Sequence, residues 1–140
     1  MSEPHVVRLV LPRRPHVELE AGQAVEALGL DAGFSRDTLA EVRLAVVEAC
    51  LNALEYGSGD IEVELAAHAD GSPWMEVRIV DHGPGFDPHA VPKPQLRSKL
   101  RAERKRGWGL ELMRRLMDEV EINSRPGRTQ VRMVRRQRGG

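Results

Sequence analysis

The sequence has little of several features that would place it in a protein class at once. It contains a single cysteine, Cys50, so no internal disulfide can form. Its 21 basic and 21 acidic side chains cancel, so no overall field recruits nucleic acid or a membrane surface. No window approaches the roughly 20 apolar residues of a membrane helix. The N-terminus is interrupted by Pro4, Arg8 and Pro12 and lacks the apolar core of a signal peptide. We therefore expect a soluble, cytoplasmic protein.

The length and the spacing of apolar and turn residues predict one α+β domain. At 140 residues the chain can bury one substantial core but not two, and we expect the domain to span residues 1–136 with a disordered tail at 137–140. The order of elements is that of a two-layer α/β sandwich, with a mixed, mostly antiparallel sheet and its helices on one face. The predicted elements are strand Val6–Leu11, helix Val17–Leu30, helix Thr38–Tyr56, strands Ile61–Leu65 and Trp74–Val80, a helix from Gly107, and strands Glu119–Asn123 and Thr129–Val134.

The second predicted helix carries an unusual polar pair. Between Leu44 and Leu54 the side chains are apolar except for Cys50, Glu48 and Asn52. Glu48 and Asn52 are four residues apart and lie on one face of the helix. Because burying a carboxylate and an amide without partners is costly, something must satisfy them. A hydrated Mg²⁺ would suit two such oxygens, and an ion pair with an arginine plus a loop cap is the structural alternative.

A second polar group stands at the end of a predicted buried strand. Asp81 follows Ile79-Val80 and is itself followed by Gly83 and Gly85. A carboxylate there can accept a hydrogen bond from an exocyclic amine such as that of adenine. The glycines would let a planar ring approach the backbone. A plain turn at the end of the strand is the alternative, since Asp-x-Gly is common in turns.

A third motif, Gly107-x-Gly109, is predicted to open a helix directly after a basic stretch. Six basic residues and one acid lie between Arg97 and Arg106. A helix N-terminus with glycines suits a phosphate group, although it can also be an ordinary glycine-rich helix start. The sequence contains no G-x-x-x-x-G-K-[ST], which excludes a P-loop. Gly107 also does not follow a strand within a βαβ unit, which argues against a dinucleotide-binding fold.

The order of the three motifs carries more information than any one of them. Glu-x-x-x-Asn on a helix, Asp-x-Gly-x-Gly after a strand, a lid at about residues 86–106 and Gly-x-Gly into a helix resemble the N, G1 and G2 boxes of the GHKL ATP-binding superfamily. The stretches Val46–Ala53 and Gly109–Val120 are similar to the branch of anti-sigma-factor serine-protein kinases. The resemblance covers essentially the whole chain.

This resemblance implies a role for each motif residue. It implies that Asn52 ligates Mg²⁺, that Glu48 is the general base, and that Asp81 binds the adenine amino group of ATP. A carboxylate in apolar surroundings should have a raised pKa, which suits a base. The remaining residues implied to contact the nucleotide are Gly83, Gly85, Arg104, Lys105, Arg106, Gly107, Gly109, Leu110 and Thr129, with the basic residues reaching the phosphates.

The chain departs from the family at one position. The family usually has Gly-Thr before its last strand, whereas this sequence has Gly127-Arg128-Thr129. Arg128 therefore stands where the glycine would align, and the register of Thr129 is open.

The resemblance implies an ATP- and Mg²⁺-dependent protein serine/threonine kinase. Its implied partners are a STAS-type anti-anti-sigma protein, which it would phosphorylate, and a sigma factor, which it would sequester. A homodimer is also expected, through Val6–Leu11 and the first helix. The alternative is a non-catalytic ATP-binding module that holds a sigma factor or another regulator. A detached histidine-kinase domain is disfavoured, because no phosphoacceptor helix precedes the motifs.

Overall fold

The structure is a computed structural model that describes residues 3–69, 71–90 and 102–138. It confirms the predicted order of elements and the α+β class. The helices and strands are β1 (His5–Leu11), α1 (Glu18–Ala32), α2 (Arg36–Tyr56), β2 (Ile61–His68), β3 (Trp74–Asp81), α3 (Ala102–Leu116), β4 (Glu119–Arg125) and β5 (Arg128–Arg136).

The five strands form one sheet in the order β1-β2-β3-β5-β4. Every pairing among the described strands is antiparallel. The sequence had predicted a mixed sheet, but this part of the chain contains no parallel pair. Side chains alternate along each strand, and the buried set on β2 and β3 faces the core. Its members are Ile61, Val63, Leu65, Ala67, Met75, Val77, Ile79 and Asp81.

Helix α2 is the central element of the helical layer. Ser35 caps it, because its hydroxyl oxygen accepts a hydrogen bond from the Thr38 backbone N–H. The helix packs on α1 on one side and on α3 on the other, and it also reaches β3. Its buried residues recur at helical spacing: Thr38, Leu39, Val42, Ala45, Val46, Ala49, Cys50 and Ala53. Burial, with a smaller effect of Glu18, raises the pKa of the Cys50 thiol to about 12, as expected of a core residue.

Two of the differences from the predicted helix boundaries affect packing or the site. Helix α1 continues past the predicted end at Leu30 to Ala32 and ends at Gly33, whose φ of 102° is the left-handed conformation of a C-cap. Gly29 lies inside the helix at a packing position, since a Cβ there would lie 2.1 Å from Leu39 Cδ2. Helix α3 begins at Ala102 rather than at Gly107. Residues 102–106 therefore belong to a helix and not to the predicted lid, while residues 91–101 lie outside the described part.

Residues 137 and 138, which begin the tail predicted to be disordered, contact the rest of the domain. The Gln137 N–H donates to Pro73 O over 2.8 Å, and Gln137 Oε1 accepts from Ser35 N over 3.0 Å. Arg138 pairs with Asp118. Only residues 139–140 of the predicted tail lie outside the described part. Among the described helices, none is long and apolar enough to cross a membrane.

Candidate nucleotide site

Three predicted site residues meet between α2 and α3. A Cβ added to Gly109 of α3 would lie 3.0 Å from Asn52 Nδ2 and 3.3 Å from Glu48 Oε2 of α2. Glu48 and Asn52 thus face the same glycine, as their spacing of four residues predicts. A methyl at Gly109 would crowd both side chains.

The electrostatics of Glu48 follow from this position. The residue is half-buried, and burial raises the pKa of its carboxyl above the ordinary value. Among the described residues, neither Glu48 nor Asn52 has a side-chain hydrogen bond or ion pair. The structural alternative, an arginine bound to Glu48 and a loop capped by Asn52, is therefore not found in this part of the chain.

Asp81 is the second component of the site. It ends β3, is 8% exposed, and accepts a hydrogen bond at Oδ1 from the Gly83 N–H over 2.9 Å. This bond fixes the carboxylate against the following loop. The approach of that loop to the end of α2 requires glycine at two positions. A Cβ on Gly83 would lie 2.5 Å from Gly57 Cα, and a Cβ on Gly57 would lie 2.6 Å from Asp81 Cγ.

Thr129 lies directly opposite Asp81 in the register of β3 and β5. It is 4% exposed, and its hydroxyl lies 2.7 Å from Ser124 Oγ. Ser124 Oγ also accepts from the Phe86 N–H over 2.8 Å, so the strand hairpin and the loop after Asp81 are joined at this point. Gly85 in that loop has φ of 83°, and a Cβ there would lie 2.7 Å from Arg125 O.

A narrow cavity lies among these residues. It is lined by Ala49, Asn52, Ala53, Tyr56, Ile79, Asp81, Gly85, Phe86, Leu110, Thr129 and Val131. Its free volume is about 30 Å³, room for about two water molecules. A purine ring therefore needs lining side chains to move outward before it can enter.

A wider groove, also lined by Asn52, lies between α2 and α3. Its volume is about 680 Å³, and its lining residues are Glu48, Leu51, Asn52, Leu54, Glu55, Trp108, Gly109 and Leu112. Asn52 is the residue that both spaces share. The structure therefore has a largely apolar, mostly enclosed cavity with a few polar side chains, and an open groove, and the two share one amide side chain.

Not all predicted site residues are brought to these spaces. Gly107 is buried within α3, but it lines neither the cavity nor the groove. Because α3 begins at Ala102, Gly107 is not at a helix N-terminus, and the predicted phosphate site there is not formed by the helix end. The side chains of Arg104, Lys105 and Arg106 lie outside the described part of the structure.

Several residues around the site were missed by the sequence interpretation. Ser124 joins Thr129 to the loop after Asp81, and Trp108 forms part of the groove wall. No local signal marks Ser124, because its role depends on strand pairing. Trp108 had a signal, since it occupies the middle position of Gly-x-Gly.

The oxygen atoms at this site fit a magnesium ion that is held mainly by water and by the phosphates of a nucleotide. The described residues contain no cluster of three or more His, Cys, Asp or Glu side chains that could hold a metal ion. Mg²⁺ commonly keeps several waters and uses one or two protein oxygens plus the phosphates of a substrate. The unbonded amide of Asn52, beside Glu48, fits that manner of binding.

Comparison with known proteins agrees with this geometry. Residues 11–135 match the family model described as histidine kinase-like ATPase domain. The chain therefore belongs to that family of ATPase domains, and the resemblance to GHKL proteins is confirmed.

The individual relatives narrow the comparison. The chain is 26% identical over 136 residues to the serine-protein kinase RsbW of Oceanobacillus iheyensis, covering 91% of this chain and 84% of the relative. It is 32% identical over 108 residues to that of Bacillus licheniformis, covering 69% and 64%. A crystal structure of RsbU and RsbW domains from Mycobacterium tuberculosis has the same fold, with a TM-score of 0.69 at 18% identity, covering 97% of this chain and 34% of that one.

Proposed function

We propose that this chain is an ATP- and Mg²⁺-dependent protein serine/threonine kinase that acts as an anti-sigma factor. The main observation in support is the meeting of Glu48, Asn52 and Gly109 beside the cavity that Asp81 and Thr129 line. The relatives named serine-protein kinase RsbW support the same class of activity. The proposed substrate is a STAS-type anti-anti-sigma protein, and the proposed second partner is a sigma factor.

The proposed binding roles follow the chemistry of each group. Asp81 has a second carboxylate oxygen to accept the adenine amine, while its Oδ1 is held by Gly83. Gly83, Gly85, Leu110 and Thr129 would shape the base pocket. Asn52 would hold Mg²⁺, which supplies charge neutralisation at the phosphates when bound. Arg104, Lys105, Arg106 and Gly107 remain proposed phosphate contacts.

The proposed chemical role of Glu48 is to take the proton of the acceptor hydroxyl. Its raised pKa makes it a better proton acceptor than an exposed glutamate. Gly109 leaves its carboxylate accessible from the groove, where a protein substrate could reach it. Glu48 is half-buried and has no partner among the described residues. Acting as the base in the proposed reaction would explain why a carboxylate is placed there.

Transfer of labelled phosphate from γ-labelled ATP to purified STAS proteins of the source organism tests the proposal. We expect one of them to be labelled by the wild type, but not by Glu48→Ala. Equal labelling by Glu48→Ala would remove Glu48 as the base. Binding of ATP without labelling of any STAS protein would instead support a non-catalytic regulator that holds a sigma factor. The homodimer through β1 and α1 remains a prediction that sedimentation can test.

A further inference from the structure

The groove between α2 and α3 is lined by large apolar side chains and carboxylates, which nucleotide binding does not require. Its α2 wall presents Glu48, Leu51 and Glu55, which lie on one helix face at spacings of three and four residues. Its α3 wall presents Trp108 and Leu112, which are also four residues apart. Each wall of the groove thus presents large apolar side chains, and the α2 wall also carries two carboxylates, of which Glu48 lies one helical turn from Asn52.

Two of the apolar side chains in the groove are exposed. Trp108 is 41% exposed and Leu51 is 37% exposed, and both line this open space. Exposed apolar groups that line a concave surface commonly mark a binding site. An aromatic ring at such a position can contribute much of the binding energy of a protein partner.

The charge of the groove selects between possible occupants. Its described lining side chains include two carboxylates, Glu48 and Glu55, and no basic group. An anion that is not neutralised by Mg²⁺ would be repelled by them. A neutral or basic polypeptide segment with an apolar side chain would match both the carboxylates and the apolar walls. The 680 Å³ of space is in the range of sites that hold ligands of several hundred daltons.

We propose that this groove receives the segment of the protein substrate that carries the acceptor hydroxyl. An apolar side chain next to the acceptor residue lies between Trp108, Leu51 and Leu112, and a basic side chain lies near Glu55. The acceptor hydroxyl is then at Glu48. This proposal rests on the proposed kinase function and adds the substrate-recognition surface to it.

The groove and the cavity share Asn52 as a lining residue, so a substrate segment in the groove and a nucleotide in the cavity would lie next to each other. The acceptor oxygen forms a bond to the γ-phosphorus of ATP as the bond from that phosphorus to the bridging oxygen of ADP breaks. The hydroxyl proton passes to the carboxylate of Glu48. Trp108 and Leu51 are positioning residues in this scheme, because they contact the substrate segment and not the reacting atoms.

The test compares variants of the groove in steady-state transfer to the STAS protein that the wild type labels. We expect Trp108→Ala to raise the KM for this protein at least five-fold, with a change in the Kd for Mg·ATP of less than two-fold. Leu51→Ala should also raise the KM for this protein. It provides a second test of the groove if Trp108→Ala does not fold. Leu44→Ala is the matched control: Leu44 is on the same helix and 45% exposed but does not line the groove.

A change in the substrate provides the complementary measurement. Replacing the apolar neighbour of its acceptor residue by aspartate should weaken transfer by the wild type much more than by Trp108→Ala, because coupled residues show non-additive effects. Unchanged KM in Trp108→Ala and Leu51→Ala would overturn the groove proposal while the kinase proposal stands. A loss of Mg·ATP affinity equal to the loss for the protein would also overturn it, by assigning the groove to the nucleotide.

The groove can also be tested if no phosphate is transferred. Calorimetry with the same STAS proteins and Mg·ADP measures binding directly. Weaker binding by Trp108→Ala than by Leu44→Ala would retain the groove as a partner surface although the kinase proposal fails. Binding unaffected by Trp108→Ala, or no binding by the wild type, would overturn the groove proposal as well.

Discussion

Thr129 lies directly opposite Asp81 across β3 and β5, and both side chains are buried in the wall of the same cavity. The Gly127-Arg128-Thr129 sequence had left the register of this threonine open. The hairpin resolves it, because Gly127 has φ of 90° in the turn and donates its N–H to Gly83 O over 3.0 Å. Arg128 faces the opposite side of the sheet, where it binds Gln130. The arginine at the position of the family glycine therefore leaves Thr129 beside Asp81.

Asp81→Asn should change which nucleotide base is preferred. The Gly83 N–H holds one oxygen of Asp81 as an acceptor, so the amide NH₂ of asparagine would take the other position. It could not accept the adenine amine but could donate to the 6-oxo group of guanine. We expect ATP affinity to fall about 10- to 100-fold, the range for a hydrogen bond to a charged group, and GTP affinity to rise. Calorimetry measures both, with the exposed Asp60→Asn as control.

Asn52→Ala should abolish the magnesium dependence of nucleotide binding while leaving the fold intact. Its side chain makes no hydrogen bond to the described residues, so little stability is lost with it. We expect Mg²⁺ to tighten ATP binding at least ten-fold in the wild type and not in the variant, by calorimetry with and without EDTA. The control is Asn123→Ala, an exposed asparagine on β4. Equal magnesium dependence in both variants would contradict the role of Asn52.

Gly109→Ala should separate stability from function. Alanine is favoured over glycine inside a helix by about 1 kcal/mol. The side chains of Glu48 and Asn52, which have no hydrogen bond to the described residues, can shift by the few tenths of an ångström that the new methyl requires. We expect the melting temperature to be unchanged or raised, whereas Mg·ATP binding and transfer fall at least five-fold. Gly22→Ala is the control in α1, where the methyl meets the flexible Arg43 side chain.

Glu48→Gln should abolish transfer with little change in ATP affinity. Because burial raises the pKa of Glu48, wild-type kcat should fall as pH drops through that raised value, where the base becomes protonated. The raised pKa also means that the ionised Glu48 carboxylate lowers the free energy of unfolding at neutral pH. This destabilisation disappears below the pKa of Glu48 in the unfolded chain, where the carboxyl is protonated in both states. The glutamine variant should therefore be as stable as the wild type or more so at pH 7, with the difference vanishing near pH 4 in thermal melts.

Asp118→Asn should destabilise the protein at neutral pH. Burial alone would raise the pKa of Asp118, but the Arg136 N–H, 2.7 Å away, and the Arg138 guanidinium outweigh it and lower the pKa. This stabilisation is present above the unfolded pKa and is lost as pH falls through the depressed folded value. Urea unfolding should show the variant less stable at pH 7 and equal to wild type in strong acid. Asp31→Asn, whose carboxylate is exposed, is the control.

Features that depend on short-range periodicity were predictable. The helix containing Glu48 and Asn52 follows from its composition, and its 3.6-residue turn brings the two side chains to one face. The strand ending at Asp81 follows from its apolar run. The start of α3 was misplaced because Gly107 was taken as a boundary, whereas Ala102–Arg106 have helix-forming side chains and the helix tolerates the glycines.

The sequence by itself determined the order of elements and the identity of the polar groups, because both arise from neighbours along the chain. Only the tertiary structure decided that Thr129 pairs with Asp81, that Gly109 lies against Asn52, and that the cavity and the groove meet there. Strand register and the close approach of two helices depend on contacts between residues far apart in sequence. Such contacts are selected by packing of the whole core and leave no local pattern from which they could be inferred.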